Sequence, residues 1–265
     1  MNAGKGAYAD VNGLNMYYET HGSGDGVPLV LLHGALSATG TSFGGLIPGL
    51  SEGRRLISIE QQAHGHTADI DRPLSVQQMA EDTTALLAHL GVEHADFFGY
   101  SMGAGIALRL AVQHAPVVRK LVFATVSYNN DGLHPGLMDT VSQVTPEMLA
   151  GTPWEAEYQQ VAPRPEDWAT LVRKNSAMES TVPQYTAEQI KAIEAPMLII
   201  LGDSDIVTPE HGVEMFRLVG GGVIGDLVGL PKSQLAILPG TAHSNLTTKT
   251  ELLLAMIPPF LEAPA

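Results

Sequence analysis

The sequence contains no cysteine. Disulfides, thiolate metal sites and a cysteine nucleophile are excluded together. Basic residues are scarce: 14 Lys and Arg stand against 28 Asp and Glu, a formal net charge of −14. A surface of that sign repels phosphate backbones and anionic lipid, so neither nucleic acid nor a membrane surface is an expected partner. No apolar stretch approaches the roughly 18 residues a membrane-crossing helix needs. Met1 to Asp10 holds one Lys and no apolar centre, which does not read as a signal peptide, and a cytoplasmic location is expected. Charged residues are only 16% of the chain while hydrophobic ones are 45%, which argues against long disorder and for a large core. A chain of 265 residues accommodates one large α/β domain or one domain with an insertion.

No internal repeat or low-complexity tract is present. Short apolar runs alternate with longer amphipathic ones. Tyr8–Val11 and Leu14–Thr20 flank Asn12-Gly13, a hairpin turn signal. Leu29–Leu32, Leu56–Ile59, Ala95–Gly99, Leu121–Ala124, Met197–Leu201 and Leu235–Leu238 read as strands. Ser75–Leu90 places Val76, Met79, Ala80, Thr83, Leu86, Leu87 and Leu90 at helical spacing, with Ser75 as N-cap and Gly91 as stop. Met102–His114 and Thr247–Leu261 read as further helices, the latter with Pro258-Pro259 near its end. Strands alternating with helices predict a mostly parallel sheet covered on both faces. From about Asn129 to Glu194 the strand signal stops. That stretch carries Trp154, Trp168 and the helix-start signals Thr145-Pro146-Glu147 and Arg164-Pro165-Glu166-Asp167. An ordered helical insertion is expected there, since its aromatic, Met and Leu content is poor loop composition.

The sharpest local feature is Gly99-Tyr100-Ser101-Met102-Gly103, preceded by an apolar strand and followed by the small-residue helix start Gly103-Ala104-Gly105. Flanking glycines keep side chains away from a tight strand-to-helix turn and leave the serine hydroxyl exposed, beside a helix N-terminus that favours developing negative charge. Five residues alone could be a chance Gly/Ser loop; the strand-turn-helix context makes Ser101 a nucleophile. A serine hydroxyl is a poor nucleophile and needs a base, which in turn needs an orienting acid. Downstream, Leu198–Leu201 runs into Gly202-Asp203-Ser204-Asp205, and Leu235–Leu238 into Pro239-Gly240-Thr241-Ala242-His243. Both groups leave the carboxyl edge of the sheet, where sites in open α/β folds lie. His243 is the base. His33, His64 and His66 precede the serine, His114 closes a helix, and His211 opens one. On spacing alone the acid is either Asp203 or Asp205. Two N–H donors are needed for a tetrahedral intermediate. Those of Met102, directly after the nucleophile, and Ala35, in the loop His33-Gly34-Ala35-Leu36 after a strand, are expected to supply them.

Taken together these residues resemble the α/β-hydrolase superfamily, in its esterase, haloperoxidase-like and lactonase-like branch with a helical cap after the sixth strand. The resemblance runs nearly the whole length. It implies an eight-stranded, mostly parallel sheet flanked by helices, with residues 1–128 and 195–265 as core and 129–194 as cap. The family pattern G-x-x-D-x-x-x-P falls on Gly202 to Pro209 and implies Asp205 as the acid. One departure stands out. Where the family often carries D-x-R-G-H-G-x-S, this chain has Glu60-Gln61-Gln62-Ala63-His64-Gly65-His66-Thr67, so His64 and His66 are expected to order that loop.

The implied activity is hydrolysis of small carboxylic esters or lactones through an acyl-enzyme, with no cofactor and no metal. Carbon–carbon bond hydrolases share the serine arrangement and stay open. Perhydrolase activity is a possible side reaction, and a non-catalytic ligand-binding protein is the alternative from another class. Ser101 argues against relatives that use Asp as nucleophile. Trp154, Met138, Met148 and Met178 suggest an apolar acyl or alcohol site, although such residues equally hold a cap together.

Overall fold

A computed structural model describes residues 4–179 and 183–264. The strands are β1 (Lys5–Val11), β2 (Leu14–His21), β3 (Leu29–Leu32), β4 (Leu56–Ile59), β5 (Ala95–Tyr100), β6 (Val118–Ala124), β7 (Met197–Ser204) and β8 (Gln234–Ala242). They form one sheet in the order β1-β2-β4-β3-β5-β6-β7-β8. β2 runs antiparallel to both its neighbours, and the pairings from β4 to β8 are parallel. The β1–β2 hairpin turns at Asn12-Gly13, both at positive φ, as the Asn-Gly signal predicts.

The central strands are apolar without interruption because both faces of the sheet are covered. Alternation along each strand divides the core in two. Val30, Leu32, Phe97, Phe123, Ile199 and Leu201 pack on one face, while Leu29, Leu31, Phe98, Val122, Leu198 and Ile200 pack on the other. The helices of the first half are α1 (Thr39–Phe43), α2 (Ile47–Leu50), α3 (Val76–His89) and α4 (Met102–Gln113). α3 starts at Ser75, whose side chain accepts from the Gln78 amide at 3.1 Å, and stops before Gly91 at φ 66°.

Between β6 and β7 the chain is helical: α5 (Leu137–Val141), α6 (Pro153–Val161), α7 (Trp168–Glu179) and α8 (Ala187–Lys191). The two Pro start signals open short 3-10 turns, Pro146–Leu149 and Pro165–Asp167; longer helices follow each. α6 begins instead under a Thr152 cap. This segment is tied to the sheet domain by Glu157 of α6. Its carboxylate accepts from the Ala38 amide at 3.2 Å, from the Thr41 amide at 3.0 Å and from the Thr41 hydroxyl, all at the start of α1. A carboxylate satisfying the orphan amides of a helix N-terminus joins two parts of the chain that are 116 residues apart.

After β7 come α9 (Pro209–Leu218), α10 (Gly225–Val228) and, following β8, α11 (Thr250–Glu262). The helix expected over Thr247–Leu261 thus starts later. His243–Thr248 forms a 3-10 turn, because the Asn245 side chain accepts from the Ala242 amide and holds the chain in a tighter coil. Pro258 and Pro259 lie inside α11. Among the described residues no helix is long and apolar enough to cross a membrane.

Candidate active site

β5 ends at Tyr100 and α4 begins at Met102, leaving Ser101 to make the whole turn. It does so at φ 53°, ψ −116°, a conformation rarely adopted by a residue with a side chain. Glycines make the turn possible. A Cβ on Gly103 would run into the Leu32 carbonyl of β3, and one on Gly99 into the Gly103 carbonyl. Both clashes are with backbone that cannot swing aside. Gly103→Ala is therefore expected to destabilise the fold by about 3 kcal/mol or more; a urea midpoint indistinguishable from wild type would contradict this packing.

The hydroxyl of Ser101 lies 3.0 Å from His243 Nε2, across 142 residues of sequence. On the other side of the ring, His243 Nδ1–H donates to Asp205 Oδ1 at 2.9 Å. The carboxylate thus selects the tautomer whose Nε2 lone pair faces the serine. Asp205 is buried and itself held by three donors: the Thr125 hydroxyl at 2.6 Å and the Gly202 amide at 3.0 Å on Oδ2, and the Ile206 amide at 2.7 Å on Oδ1. Burial raises its pKa, but the contacts with His243, Thr125 and Gly202 outweigh burial and hold the carboxyl below its ordinary range. Thr125, just after β6 and at φ 63°, was not singled out from sequence; its only cue was its place at a strand end.

Asp203 is exposed and faces away from the histidine. It accepts from the Gly240 and Thr241 amides at 2.9 and 3.1 Å, bracing the end of β8 that carries His243. No sequence signal marks Tyr100 as part of the site either. Its hydroxyl donates to the His243 carbonyl at 2.9 Å and its ring stacks on the imidazole, so the variable position of the five-residue motif supports His243.

The loop after β3 passes directly beside the serine: a Cβ on Gly34 would sit 3.6 Å from that of Ser101. His33 fixes this loop. Its Nδ1–H donates to the Gly34 carbonyl at 2.8 Å, and its Nε2 accepts from the Gln61 amide at 3.0 Å. Leu36 stands at φ 60° in the same loop. Met102 is the first residue of α4, so its amide has no intrahelical acceptor.

The divergent segment Glu60–Thr67 is a second ordered loop behind His33. Burial pushes Glu60 up, yet hydrogen bonds from the His66 ring and amide hold it below the ordinary carboxylate range. It also accepts from the Thr39 amide at 3.2 Å. Ala63 takes φ 66° where the family pattern has glycine. His64 is fully buried. Its Nδ1–H donates to the Gln62 carbonyl, and its Nε2 has no partner among the described residues. Burial, with His33 nearby, lowers its pKa from 6.5 to about 3.

The unfolded chain therefore takes up a proton near pH 6.5 that the native state refuses down to about pH 3, so stability is complete above the first value and falls as pH drops below it. A loss of about 2 kcal/mol is expected between neutral pH and about pH 5, and His64→Asn should remove most of that slope. Urea unfolding at both pH values measures it; equal slopes in the two proteins would contradict the assignment.

Comparison with known proteins places this geometry. The family model described as alpha/beta hydrolase fold matches residues 27–249. The chain belongs to the alpha/beta hydrolase family. This hydrolase is 23% identical over 268 residues to the putative carbamate hydrolase RutD of Agrobacterium fabrum, covering 93% of its own chain and 98% of that relative. Several other curated relatives match over only 33% to 37% of their own length. Among solved structures, the enol-lactonase from Burkholderia xenovorans LB400 aligns at TM-score 0.73 and 20% identity, over 97% of this chain and 100% of that one. The meta-cleavage product hydrolase CumD from Pseudomonas fluorescens IP01 aligns at TM-score 0.76 and 18% identity, over 97% of both chains.

In this hydrolase the space above Ser101 and His243 is a cavity of two adjoining lobes, about 110 and 270 Å³. Together they have room for a small molecule. Met102, Met138 and Met178 line one lobe, and Ala35, Leu149 and Trp154 line the other. Met148, expected as part of an apolar site, is 68% exposed and borders neither lobe, because the 3-10 turn at Pro146–Leu149 directs its neighbour Leu149 inward instead. Glu179, at the end of α7, borders both lobes. No sequence motif marks it.

Proposed function

We propose that the protein hydrolyses carboxylic esters or lactones of small molecules, with Ser101 as nucleophile, His243 as general base and acid, and Asp205 as the group that orients it. The observation that carries this reading is the continuous hydrogen-bonded chain from the Ser101 hydroxyl through both nitrogens of His243 to a buried, ionised Asp205. Residues 129–194 act as a cap that walls the cavity.

The proposed steps use this geometry. Ser101 Oγ attacks the carbonyl carbon while His243 Nε2 takes its proton, and Asp205 stabilises the imidazolium. The carbonyl oxygen becomes an oxyanion, and the amides of Met102 and Ala35 donate to it. His243 then returns the proton to the leaving alkoxide oxygen, which departs with the C–O electron pair. A water molecule deacylates the serine through the same histidine. In a lactone the leaving alkoxide stays tethered to the acyl group, and the same steps open the ring. The negative charge in this sequence develops beside amides and an imidazolium, so activity is expected to survive chelators.

Covalent labelling by a fluorophosphonate probe tests the nucleophile. Wild type should label and Ser101→Ala should not; unlabelled wild type, or equal labelling of both, would sink the enzyme reading in favour of a ligand-binding protein. A panel of p-nitrophenyl esters of graded chain length, with lactones and a carbon–carbon substrate alongside, tests the bond cleaved. Turnover of the carbon–carbon substrate alone would replace the ester reading.

A further inference from the structure

Glu179 is a carboxyl group inside the cavity where the reaction is proposed to occur, and nothing in that reaction uses it. It borders both lobes together with Ser101 and His243. No side-chain hydrogen bond from a described residue reaches it. Burial raises its pKa, with His243 pulling the other way. Glu179 is half-buried, and a carboxyl shielded from water with no hydrogen-bonding partner among the described residues is costly to ionise; a cation beside it removes that cost.

Two further features share its lobe. Asn175, one turn earlier on α7, is only 5% exposed, and its side-chain oxygen has no partner among the described residues. Trp154 of α6 adds an aromatic wall. Among the described residues, no Lys or Arg borders either lobe. Two acceptors and an indole around a space without fixed cations match an ammonium group, which offers three N–H donors and binds favourably against a π face.

We propose that Glu179, with Asn175 and Trp154, forms a recognition site for a protonated amine on the substrate, in the same cavity as the nucleophile. The proposal deepens the hydrolase reading and rests on Ser101 marking the reacting end of the same cavity. It predicts amine-bearing acyl or alcohol groups as preferred substrates and carboxylate-bearing ones as rejected.

Binding of hexylammonium, hexanol and hexanoate to the wild-type protein, measured by calorimetry, tests it without requiring turnover. Hexylammonium is expected to bind at least about tenfold more tightly than hexanoate, with hexanol between them. Glu179→Gln should bring the three within about twofold of one another, and Asn175→Asp should widen the preference for the cation. Thermal unfolding shows whether each variant is folded. Hexanoate binding as tightly as hexylammonium, or a preference unchanged in Glu179→Gln, would overturn the proposal. Failure of fluorophosphonate labelling would overturn the nucleophile and leave this binding result standing, so the two readings fail separately.

Discussion

Ser101→Ala is expected to lower turnover of a p-nitrophenyl ester by a factor on the order of 10⁴–10⁶. In the proposed reaction the hydroxyl is the atom that forms the acyl bond. The substitution removes one oxygen and leaves the backbone at φ 53° with a Cβ as before, so stability should change little. His243→Ala is expected to cost a similar factor, since an unassisted serine hydroxyl is a weak nucleophile. The two losses should not add: with either partner gone the other has nothing to act on, and the double variant should be about as active as each single one. Steady-state kcat measures all three. A Ser101→Ala protein retaining more than about a tenth of the activity would assign the chemistry elsewhere.

Asp205→Asn should be nearly as damaging, by a factor of about 10⁴ in kcat. Each carboxylate oxygen accepts from a backbone amide, Gly202 on Oδ2 and Ile206 on Oδ1. The amide nitrogen of asparagine must therefore face an N–H in either orientation. Placed at the Oδ1 position, it donates to His243 Nδ1, and the ring proton moves to Nε2, where it points at Ser101 and removes the base. Placed at the Oδ2 position, it forfeits the Gly202 bond and confronts the Thr125 hydroxyl. Neither orientation restores the negative charge beside the imidazolium.

Asp203→Asn should stay within about tenfold of wild type. That side chain is exposed and only braces the Gly240 and Thr241 amides, which an amide oxygen can still accept from. Parallel kinetics on the two variants separate the roles. If Asp203→Asn proved the more damaging, Asp203 would have to be the acid.

The serine turn was legible because its requirements are local. An apolar strand, a glycine on each side and a helix of small residues occupy one continuous stretch, and each constrains its neighbours sterically. The histidine was legible as a residue following a late strand. The choice between Asp203 and Asp205 was not legible from spacing, since both leave β7 within three residues. The structure separates them by burial and direction: Asp205 turns inward under Thr125 and towards His243, while Asp203 turns out towards the β8 turn.

Both proline signals of the insertion do open helical turns, but how far each runs was not legible, for a related reason. Proline after Thr145 and Arg164 opens a turn, but whether that turn propagates as an α-helix depends on what its next residues pack against. Trp168, packed on Tyr158, begins a long helix, whereas Met148 projects into solvent and its turn ends.

The sequence by itself determined the layered fold, the position of the serine turn and the order of the groups that follow it, because periodicity, glycine placement and strand-helix alternation are encoded between near neighbours. Spacing left two carboxylates open and only the family resemblance implied Asp205; the tertiary structure decided that Asp205 meets the histidine, how Thr125 and Tyr100 hold that pair in place, and that Glu179 and Asn175 border the same cavity. The contacts of Asp205 with His243 and Thr125, and of Tyr100 with His243, join residues about 40 to 140 positions apart. They are set by how helices pack over the edge of a sheet, and hydrophobic periodicity indicates which face of a helix is buried without indicating which side chain it will meet.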